Sequence, residues 1–276
     1  MRLATLELDG TTQAARIEDD EAVLLDAADV GRLLRWPDWR VAAAADGIRV
    51  PAGTVRFAQL VAAPSKTVCV GLNYRRHIDE IGLPTPAYPT LFAKFAEALA
   101  GPYDDLELPA ASDQPDWEAE LTVVIGQRVR RAGPDEAAAA IAGFTVANDV
   151  SMRDVQTRTS QWLQGKTFQA TTPLGPVLVT PDELPGGLCP DLEIGCRVNG
   201  ETMQLSRTSD LLFTPVDLVA YVSEIVALNP GDLILTGTPG GVGAALDPPR
   251  FLATGDVMVT TIEGIGSLRN RIVAAA

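Results

Sequence analysis

Two glutamates separated by one residue, Glu118 and Glu120, lead directly into the apolar run at residues 121–125. If these residues form one β-strand, its period of two places both side chains on the same face, about 7 Å apart along the strand. Two carboxylates this close repel each other unless a cation lies between them. The spacing therefore allows a cation site or, alternatively, a solvated strand edge whose acids face water.

A further acid, Asp149, follows the apolar run at residues 144–147 and stands next to Asn148. With Glu118 and Glu120 it would make three carboxylate ligands, a set that suits a hard cation such as Mg²⁺ or Mn²⁺ better than zinc. The alternative is a turn in which the side chains of Asn148 and Asp149 bond to nearby backbone. The local pattern leaves both interpretations open.

The chain contains one histidine, His77, which excludes catalytic histidine pairs and zinc sites built from several histidines. Histidine is the residue type that ordinarily titrates near neutral pH, so an enzyme with this sequence has one ordinary candidate for a base. Glu80 follows three residues later and would share a helical face with His77, where its carboxylate can orient the imidazole. The alternative is a surface histidine with an acidic neighbour by chance.

The elements that must position these residues are mostly short strands. Apolar or alternating runs predict strands at residues 3–8, 13–17, 21–25, 67–70, 121–125, 233–235 and 257–262. Helix signals occur at residues 27–34, 134–143 and 214–229. The dipeptide Asp9-Gly10 predicts a hairpin turn between the first two strands. Helices are too few for a TIM barrel, and no GxGxxG or Walker A motif is present, so the pattern predicts a β-rich α/β fold.

Composition narrows the class of protein further. The 276 residues are 46% hydrophobic and 21% charged, which is typical of a globular protein, and no apolar run is long enough to cross a membrane. Lysine and arginine number 22 against 36 aspartates and glutamates, which gives a net charge of −14. A surface of this charge repels nucleic acid and anionic lipid, so we expect neither as a partner.

Cysteine usage and chain organisation give two weaker expectations. The three cysteines lack CxxC spacing, and the first residues lack the basic region and apolar core of a signal peptide. Both features predict a cytoplasmic protein with reduced thiols. Turn signals near Pro64 predict a small β-rich N-terminal domain at residues 1–64 and a catalytic domain at residues 65–276.

Seven stretches over residues 65–273, in the same order, resemble the fumarylacetoacetate hydrolase family. They are Gly71-Leu72-Asn73-Tyr74 with His77 and Glu80; Phe92-Ala93-Lys94; residues 116–126; residues 148–156; Gly165-Lys166-Thr167-Phe168 with residues 173–176; residues 231–239; and residues 264–270. Each match alone is weak, but the ordered set is specific. The resemblance implies a mixed β-roll/β-sandwich catalytic domain with a small N-terminal domain, and a homodimer.

The resemblance also implies roles for individual residues. Mg²⁺ or Mn²⁺ would be bound by Glu118, Glu120 and Asp149, and a 2-oxo acid substrate would chelate the metal ion at its open positions. His77 paired with Glu80 would take a proton from water. The remaining implied site residues are Lys166, which would stabilise developing negative charge, and the substrate contacts Lys94, Arg153, Gln156 and Thr238.

The activity that this resemblance implies is carbon–carbon bond hydrolysis. The substrate would be a 2,4-dioxo acid of the acylpyruvate or fumarylpyruvate type, cleaved through a metal-stabilised enolate in aromatic-compound catabolism. Alternatives that use the same enolate are oxaloacetate decarboxylation and isomerisation of 2-hydroxydienoates. A non-enzymatic relative is disfavoured, because a chain that had lost its chemistry should have lost part of the site.

Overall fold

β-Strands outnumber helices in the described part of the chain, as its alternating and apolar runs predict. The computed structural model describes residues 1–80, 82 and 84–275, apart from the side chain of Glu80. The strands of this part of the chain are β1 (Arg2–Leu8), β2 (Thr11–Glu18), β3 (Glu21–Leu24), β4 (Arg49–Pro51), β5 (Arg56–Phe57), β6 (Thr67–Gly71), β7 (Thr90–Lys94), β8 (Leu99–Ala100), β9 (Leu106–Leu108), β10 (Pro115–Asp116), β11 (Ala119–Ile125), β12 (Ile141–Asn148), β13 (Ser151–Met152), β14 (Thr172–Val179), β15 (Glu193–Val198), β16 (Glu201–Arg207), β17 (Leu233–Leu235), β18 (Val257–Ile262) and β19 (Gly266–Ala274). Its α-helices are α1 (Val30–Leu33), α2 (Trp39–Ala44), α3 (Arg75–Glu80), α4 (Pro134–Ala140), α5 (Arg153–Gln156), α6 (Leu163–Lys166) and α7 (Pro215–Ile225). The prediction of a β-rich α/β fold is confirmed.

The first hairpin forms where its turn residues predict it. β1 and β2 pair in antiparallel register, and the residues between them, Asp9 and Gly10, have φ angles of 49° and 79°. Both angles lie in the left-handed region that a two-residue type I′ turn requires and that an Asp-Gly sequence favours. The local sequence therefore accounts for this hairpin without help from the rest of the fold.

The helices are shorter than their sequence signals predict. The sequence predicts that Gly143 ends α4. In the structure α4 already ends at Ala140, and Gly143 lies inside β12. A Cβ atom at Gly143 would lie 2.3 Å from the carbonyl oxygen of Val179, so glycine is needed for the close approach of β14. α7 ends at Ile225 rather than near residue 229, because Val226 already adopts an extended conformation.

Two sheets pack against each other around the main hydrophobic core. The larger sheet has twelve of the described strands, in the order β4-β3-β2-β1-β14-β12-β11-β17-β6-β7, with β5 on β1 and β8 on β14. The smaller sheet runs β16-β15-β18-β19-β9 and contacts β11, β12 and β14. Apolar side chains of both sheets share one core, which gives the sandwich arrangement.

The N-terminal strands extend the larger sheet. β1 pairs antiparallel with β14, so β1 to β4 form one hydrogen-bonded surface with the central strands. The domain boundary between residues 64 and 65 stays a prediction. In the described part of the chain, no helix has the length and apolar content that a membrane crossing requires.

The strand directions bring the candidate residues to one edge of the larger sheet. β11 is antiparallel to both β12 and β17, whereas β17 and β6 are parallel. The start of β11 therefore lies at the same edge as the ends of β12, β17 and β6. Glu118 and Glu120 stand at the start of β11, Asp149 follows β12, Thr238 follows β17 and His77 follows β6.

Candidate metal and substrate site

A cluster of three buried carboxylates forms where β11 begins and β12 ends. Glu118 lies just before β11, and its carbonyl oxygen accepts a hydrogen bond of 2.8 Å from the backbone N–H of Asp149. This bond continues the ladder between the two strands and places Asp149 beside the glutamates. Ligand oxygens of Glu118, Glu120 and Asp149 lie within 4.8 Å of one another. Because all three residues are buried, the alternative of a solvated strand edge is excluded.

Three basic side chains surround this carboxylate cluster. Lys166, at the end of α6, places its Nζ 2.6 Å from Glu118 Oε2 and 3.0 Å from Asp149 Oδ2. Lys94, at the end of β7, reaches Asp149 Oδ1 at 2.6 Å. Arg153 Nη1 lies 2.7 Å from Glu118 Oε1. These ion pairs compensate Glu118 and Asp149, which would otherwise be costly to bury.

The two glutamates experience opposite electrostatic effects. Burial raises the pKa of Glu118, but the positive charges of Lys166 and Arg153 outweigh burial and lower that pKa to about 2. Burial also raises the pKa of Glu120, and the negative charges of Asp149 and Glu118 raise it further. Glu118 therefore remains charged, whereas Lys166 and the backbone N–H of Gly237 only partly compensate Glu120.

The environment of Glu120 fits a divalent cation. Among the described residues it has one hydrogen bond, from the backbone N–H of Gly237 at 2.7 Å, and no ion pair. A cation bound between the three carboxylates would supply the missing positive charge. Carboxylate oxygens are also the donors that Mg²⁺ and Mn²⁺ prefer. The donor set thus agrees with the ligands that the sequence predicts, Glu118, Glu120 and Asp149.

Arg153 is held on two sides and keeps one donor unused. Its Nε donates to Asp116 Oδ2 at 2.8 Å, and its Nη1 donates to Gln156 Oε1 at 3.0 Å as well as to Glu118. Asp116 is itself fixed, because its carboxylate accepts the backbone N–H of Gly243 at 2.7 Å. The Nη2 atom of Arg153 is buried and has no hydrogen-bond partner among the described residues. A carboxylate ligand would satisfy it.

A pocket of about 160 Å³ adjoins the cluster and brings the predicted residues together. Its polar and charged lining consists of His77, Glu118, Arg153, Gln156, Lys166 and Thr238. His77 is half-buried in this lining. Six of the predicted site residues, from five separate elements or loops, therefore face one small space.

Two aromatic side chains, Phe92 and Trp162, complete the pocket wall together with residues 70–72. The rings of Phe92 and Trp162 meet edge to face, with their centroids 5.5 Å apart. Lys166 Nζ lies 5.1 Å from the centre of the Phe92 ring, a cation–π contact. A Cβ atom at Gly71 would lie 2.4 Å from the Trp162 ring, so glycine at this position leaves room for the indole.

Two predicted roles, the substrate contact of Lys94 and the pairing of His77 with Glu80, stay predictions. The Lys94 side chain is fully buried, pairs with Asp149 and donates to the carbonyl oxygen of Lys166, and it is not among the described residues that line the pocket. Its predicted contact with substrate stays a prediction. The predicted pairing of His77 with Glu80 involves a side chain outside the described part of the chain.

The sequence analysis assigned no role to Asp116 or Trp162. Asp116 continues the period-two pattern of Glu118 and Glu120 by one step, and this alternation was a usable signal. Trp162 stands three residues before the Gly165-Lys166 motif, but no sequence feature indicated that its ring would pack on Gly71.

Comparison with known proteins identifies the family of this chain. The family model described as fumarylacetoacetate (FAA) hydrolase C-terminal matches residues 66–273. The chain belongs to the fumarylacetoacetate hydrolase family. The family predicted from the ordered motifs is therefore confirmed.

Relatives and solved structures of the fumarylacetoacetate hydrolase family cover most or all of the chain. Proteins named mitochondrial oxaloacetate tautomerase from Bos taurus and Homo sapiens are 48% and 47% identical, over 81% of this chain and 71% of their own length. Fumarylacetoacetate hydrolase from Exiguobacterium antarcticum is 32% identical, with a TM-score of 0.87 over 100% of both chains. 5-Carboxymethyl-2-hydroxymuconate delta-isomerase from Mycobacterium smegmatis is 35% identical, with a TM-score of 0.81 over 100% of both chains.

The same comparison corrects one prediction from composition. The cytoplasmic location is contradicted, because the bovine and human relatives carry the word mitochondrial in their names. Sparse cysteines without pairing motifs indicate a reducing environment, and that chemistry does not separate one reducing compartment from another. Composition was therefore the wrong evidence for location.

Proposed function

We propose that this chain is a divalent-metal-dependent enzyme that interconverts the keto and enol forms of a small 2-oxo dicarboxylic acid such as oxaloacetate. One observation carries the proposal: the buried carboxylate cluster shares one small pocket with Arg153, Lys166 and His77. The relatives named oxaloacetate tautomerase support this reaction. The isomerase among the solved structures supports enol chemistry in a more general form.

Arg153 and Gln156 would bind a carboxylate of the substrate. Both side chains line the pocket, and the Nη1–Oε1 bond of 3.0 Å between them leaves the Gln156 amide N–H₂ and Arg153 Nη2 as donors. A carboxylate has two acceptor oxygens and can take both donors at once. This pair therefore orients one end of the substrate towards the carboxylate cluster.

Lys166 would stabilise negative charge on the substrate. A divalent cation held by Glu118, Glu120 and Asp149 would supply a Lewis acid that polarises the 2-oxo group. Burial lowers the pKa of Lys166, but the charges of Asp149 and Glu118 outweigh burial and raise that pKa above its usual value. Lys166 thus remains an ammonium group, which suits a charge stabiliser and not a base.

His77 would move the proton. Conversion between keto and enol forms transfers a proton between C3 and the enol oxygen, and this transfer needs a group that both takes and returns it. Histidine is the residue type that ordinarily does so near neutral pH. The half-buried position of His77 in the pocket lining supports this role.

The other reactions considered from sequence use the same enolate. Hydrolysis of a 2,4-dioxo acid adds a requirement for a water molecule activated by His77 with Glu80. A pocket of about 160 Å³, with aromatic walls, supports a short substrate over a longer acyl or diene chain. The names of the bovine and human relatives also favour the enol reaction over carbon–carbon cleavage.

The test follows the ultraviolet absorbance of the oxaloacetate enol after dilution into buffer with Mg²⁺ or Mn²⁺. We expect the protein to accelerate its loss, a chelator to return the rate to that of buffer, and His77→Ala to lower the rate about a hundredfold. Asp79→Ala, at an exposed position on the same helix, is the matched control and should keep the activity. Cleavage of acylpyruvates, with keto–enol exchange of oxaloacetate at the buffer rate, would refute the proposal.

A further inference from the structure

Gln204 connects the smaller sheet to the site, although it lies far from the site motifs in sequence. It is on β16 and its side chain is buried. Its Oε1 accepts a hydrogen bond of 2.9 Å from the backbone N–H of Ala119, the residue between Glu118 and Glu120. Its Nε2 donates to Thr238 Oγ1 at 2.9 Å and to the Pro239 carbonyl oxygen at 2.9 Å.

The backbone partners fix the orientation of the Gln204 amide. The N–H of Ala119 can only donate and the carbonyl oxygen of Pro239 can only accept, so exchanging the oxygen and nitrogen of the amide would break both bonds. These partners therefore identify which atom of the Gln204 amide is the oxygen and which is the nitrogen. It follows that Gln204 donates to the Thr238 hydroxyl and does not accept from it.

A hydroxyl group that accepts at its oxygen still has one hydrogen to donate. Among the described residues no acceptor for the Thr238 hydrogen is found, while the residue lines the pocket beside Arg153 and Lys166. The orientation of the Gln204 amide thus leaves Thr238 with a donor for a ligand in the pocket. Such a donor favours an oxygen that carries negative charge.

We infer that Gln204 is a positioning residue that makes Thr238 an obligatory hydrogen-bond donor to an anionic oxygen of the substrate. The identity of the substrate in this inference rests on the proposed function. The direction of the hydrogen bond rests only on the partners of the Gln204 amide. Because the same amide holds Ala119, it also ties the loop that carries Thr238 to the strand that carries the glutamates.

The test measures binding of oxalate, a small dicarboxylate, to the Mg²⁺-loaded protein by titration calorimetry. Thr238→Val removes the donor at nearly constant volume and should weaken oxalate binding about tenfold, the loss expected for one hydrogen bond to a charged group. Thr238→Ser keeps the hydroxyl and should bind like the wild type. Gln204→Leu should weaken binding about as much as Thr238→Val.

Two further variants separate positioning from a merely structural role. Gln204→Glu keeps an acceptor for the Ala119 N–H but accepts the Thr238 hydrogen, so it should also weaken oxalate binding while the melting temperature shows a folded protein. The double variant Gln204→Leu with Thr238→Val should bind no worse than either single variant, because both remove the same donor.

The outcomes distinguish this inference from the proposed function. Additive losses in the double variant, or unchanged oxalate binding in Gln204→Glu or Thr238→Val, would overturn the inference. Absence of oxalate binding by the wild type would overturn it as well. If the binding pattern holds while oxaloacetate keto–enol exchange stays at the buffer rate, the hydrogen-bond assignment stands and only the proposed function fails.

Discussion

Glu118 and Glu120 are two residues apart, yet the protein compensates them unequally. Glu118 has ion pairs with Lys166 and Arg153, whereas Glu120 has a single backbone hydrogen bond among the described residues. Burial of a partly compensated carboxylate opposes folding until a cation binds. Metal binding and stability should therefore be coupled through Glu120.

This contrast predicts opposite effects of Glu120→Gln with and without metal. In the metal-free protein the amide removes a partly compensated buried charge, so the melting temperature should rise by about 2 °C, which corresponds to about 1 kcal/mol in a chain of this size. In the wild type, millimolar Mg²⁺ or Mn²⁺ should raise the melting temperature, because a ligand bound by the native state stabilises it. That increase should disappear in Glu120→Gln.

Thermal-shift measurements at several metal concentrations check both parts. Glu21→Gln, whose side chain is 54% exposed, changes a glutamate far from the site and should behave like the wild type. An equal metal-dependent increase in Glu120→Gln and wild type would mean that Glu120 is not a ligand.

At the scale of elements, the aromatic part of the pocket forms where the end of β6, the middle of β7 and the residue before α6 meet. Gly71 ends β6, Phe92 lies on β7, and Trp162 directly precedes α6. The Trp162 ring packs on Gly71 and meets the Phe92 ring edge to face. We expect this packing to limit the length of a substrate chain that the pocket can accept.

Trp162→Ala should therefore change substrate preference. Removing the indole opens the pocket, so kcat/KM for acylpyruvates, relative to that for oxaloacetate, should rise about tenfold, a typical effect of enlarging an apolar subsite. Steady-state kinetics with both substrates provides the ratio. Trp162→Phe, which keeps an aromatic wall, should change the ratio less.

A tryptophan elsewhere controls for general loss of packing. Trp36 is 37% exposed and lies outside the pocket lining, so Trp36→Ala should leave the ratio unchanged. If Trp162→Ala lowers both kcat/KM values equally, the indole supports the fold and does not select substrate length.

The elements themselves were predictable to different degrees. Strands with apolar or alternating runs, such as β1, β11 and β17, lie where their patterns place them. Helix ends were less accurate, because Gly143 is required by contact with β14 and not by a helix terminus. A glycine needed for close packing and a glycine that ends a helix look alike in sequence.

At the scale of the whole molecule, a net charge of −14 opposes the approach of an anionic substrate. The basic residues at the site, Lys94, Arg153 and Lys166, are engaged with buried carboxylates. Attraction is therefore confined to the pocket, while repulsion extends beyond it. Salt should weaken the long-range repulsion more than the attraction inside the pocket, because exposed charges are screened more than buried ones.

We expect KM for oxaloacetate to fall about twofold as sodium chloride rises from low concentration to about 0.15 M, where the Debye length is about 8 Å. Screening at this length removes the long-range repulsion and leaves contacts inside the pocket largely unchanged. Initial rates at saturating metal measure the effect. A KM that rises steeply with salt would contradict it, since that would require a positive field outside the pocket.

Residue type and local periodicity were sufficient to place most strands and the one histidine, because these signals lie within short segments. The family and the candidate metal ligands were predicted from the resemblance of the ordered motifs. The packed fold alone decides that Asp149 lies beside Glu118, that Lys166 and Lys94 reach Asp149, and that Gln204 turns the Thr238 hydroxyl into a donor. These contacts join residues from 17 positions apart, as for Lys166 with Asp149, to 55 positions apart, as for Lys94 with Asp149. Strand register and side-chain reach create them, and neither is encoded in the pattern of any one segment.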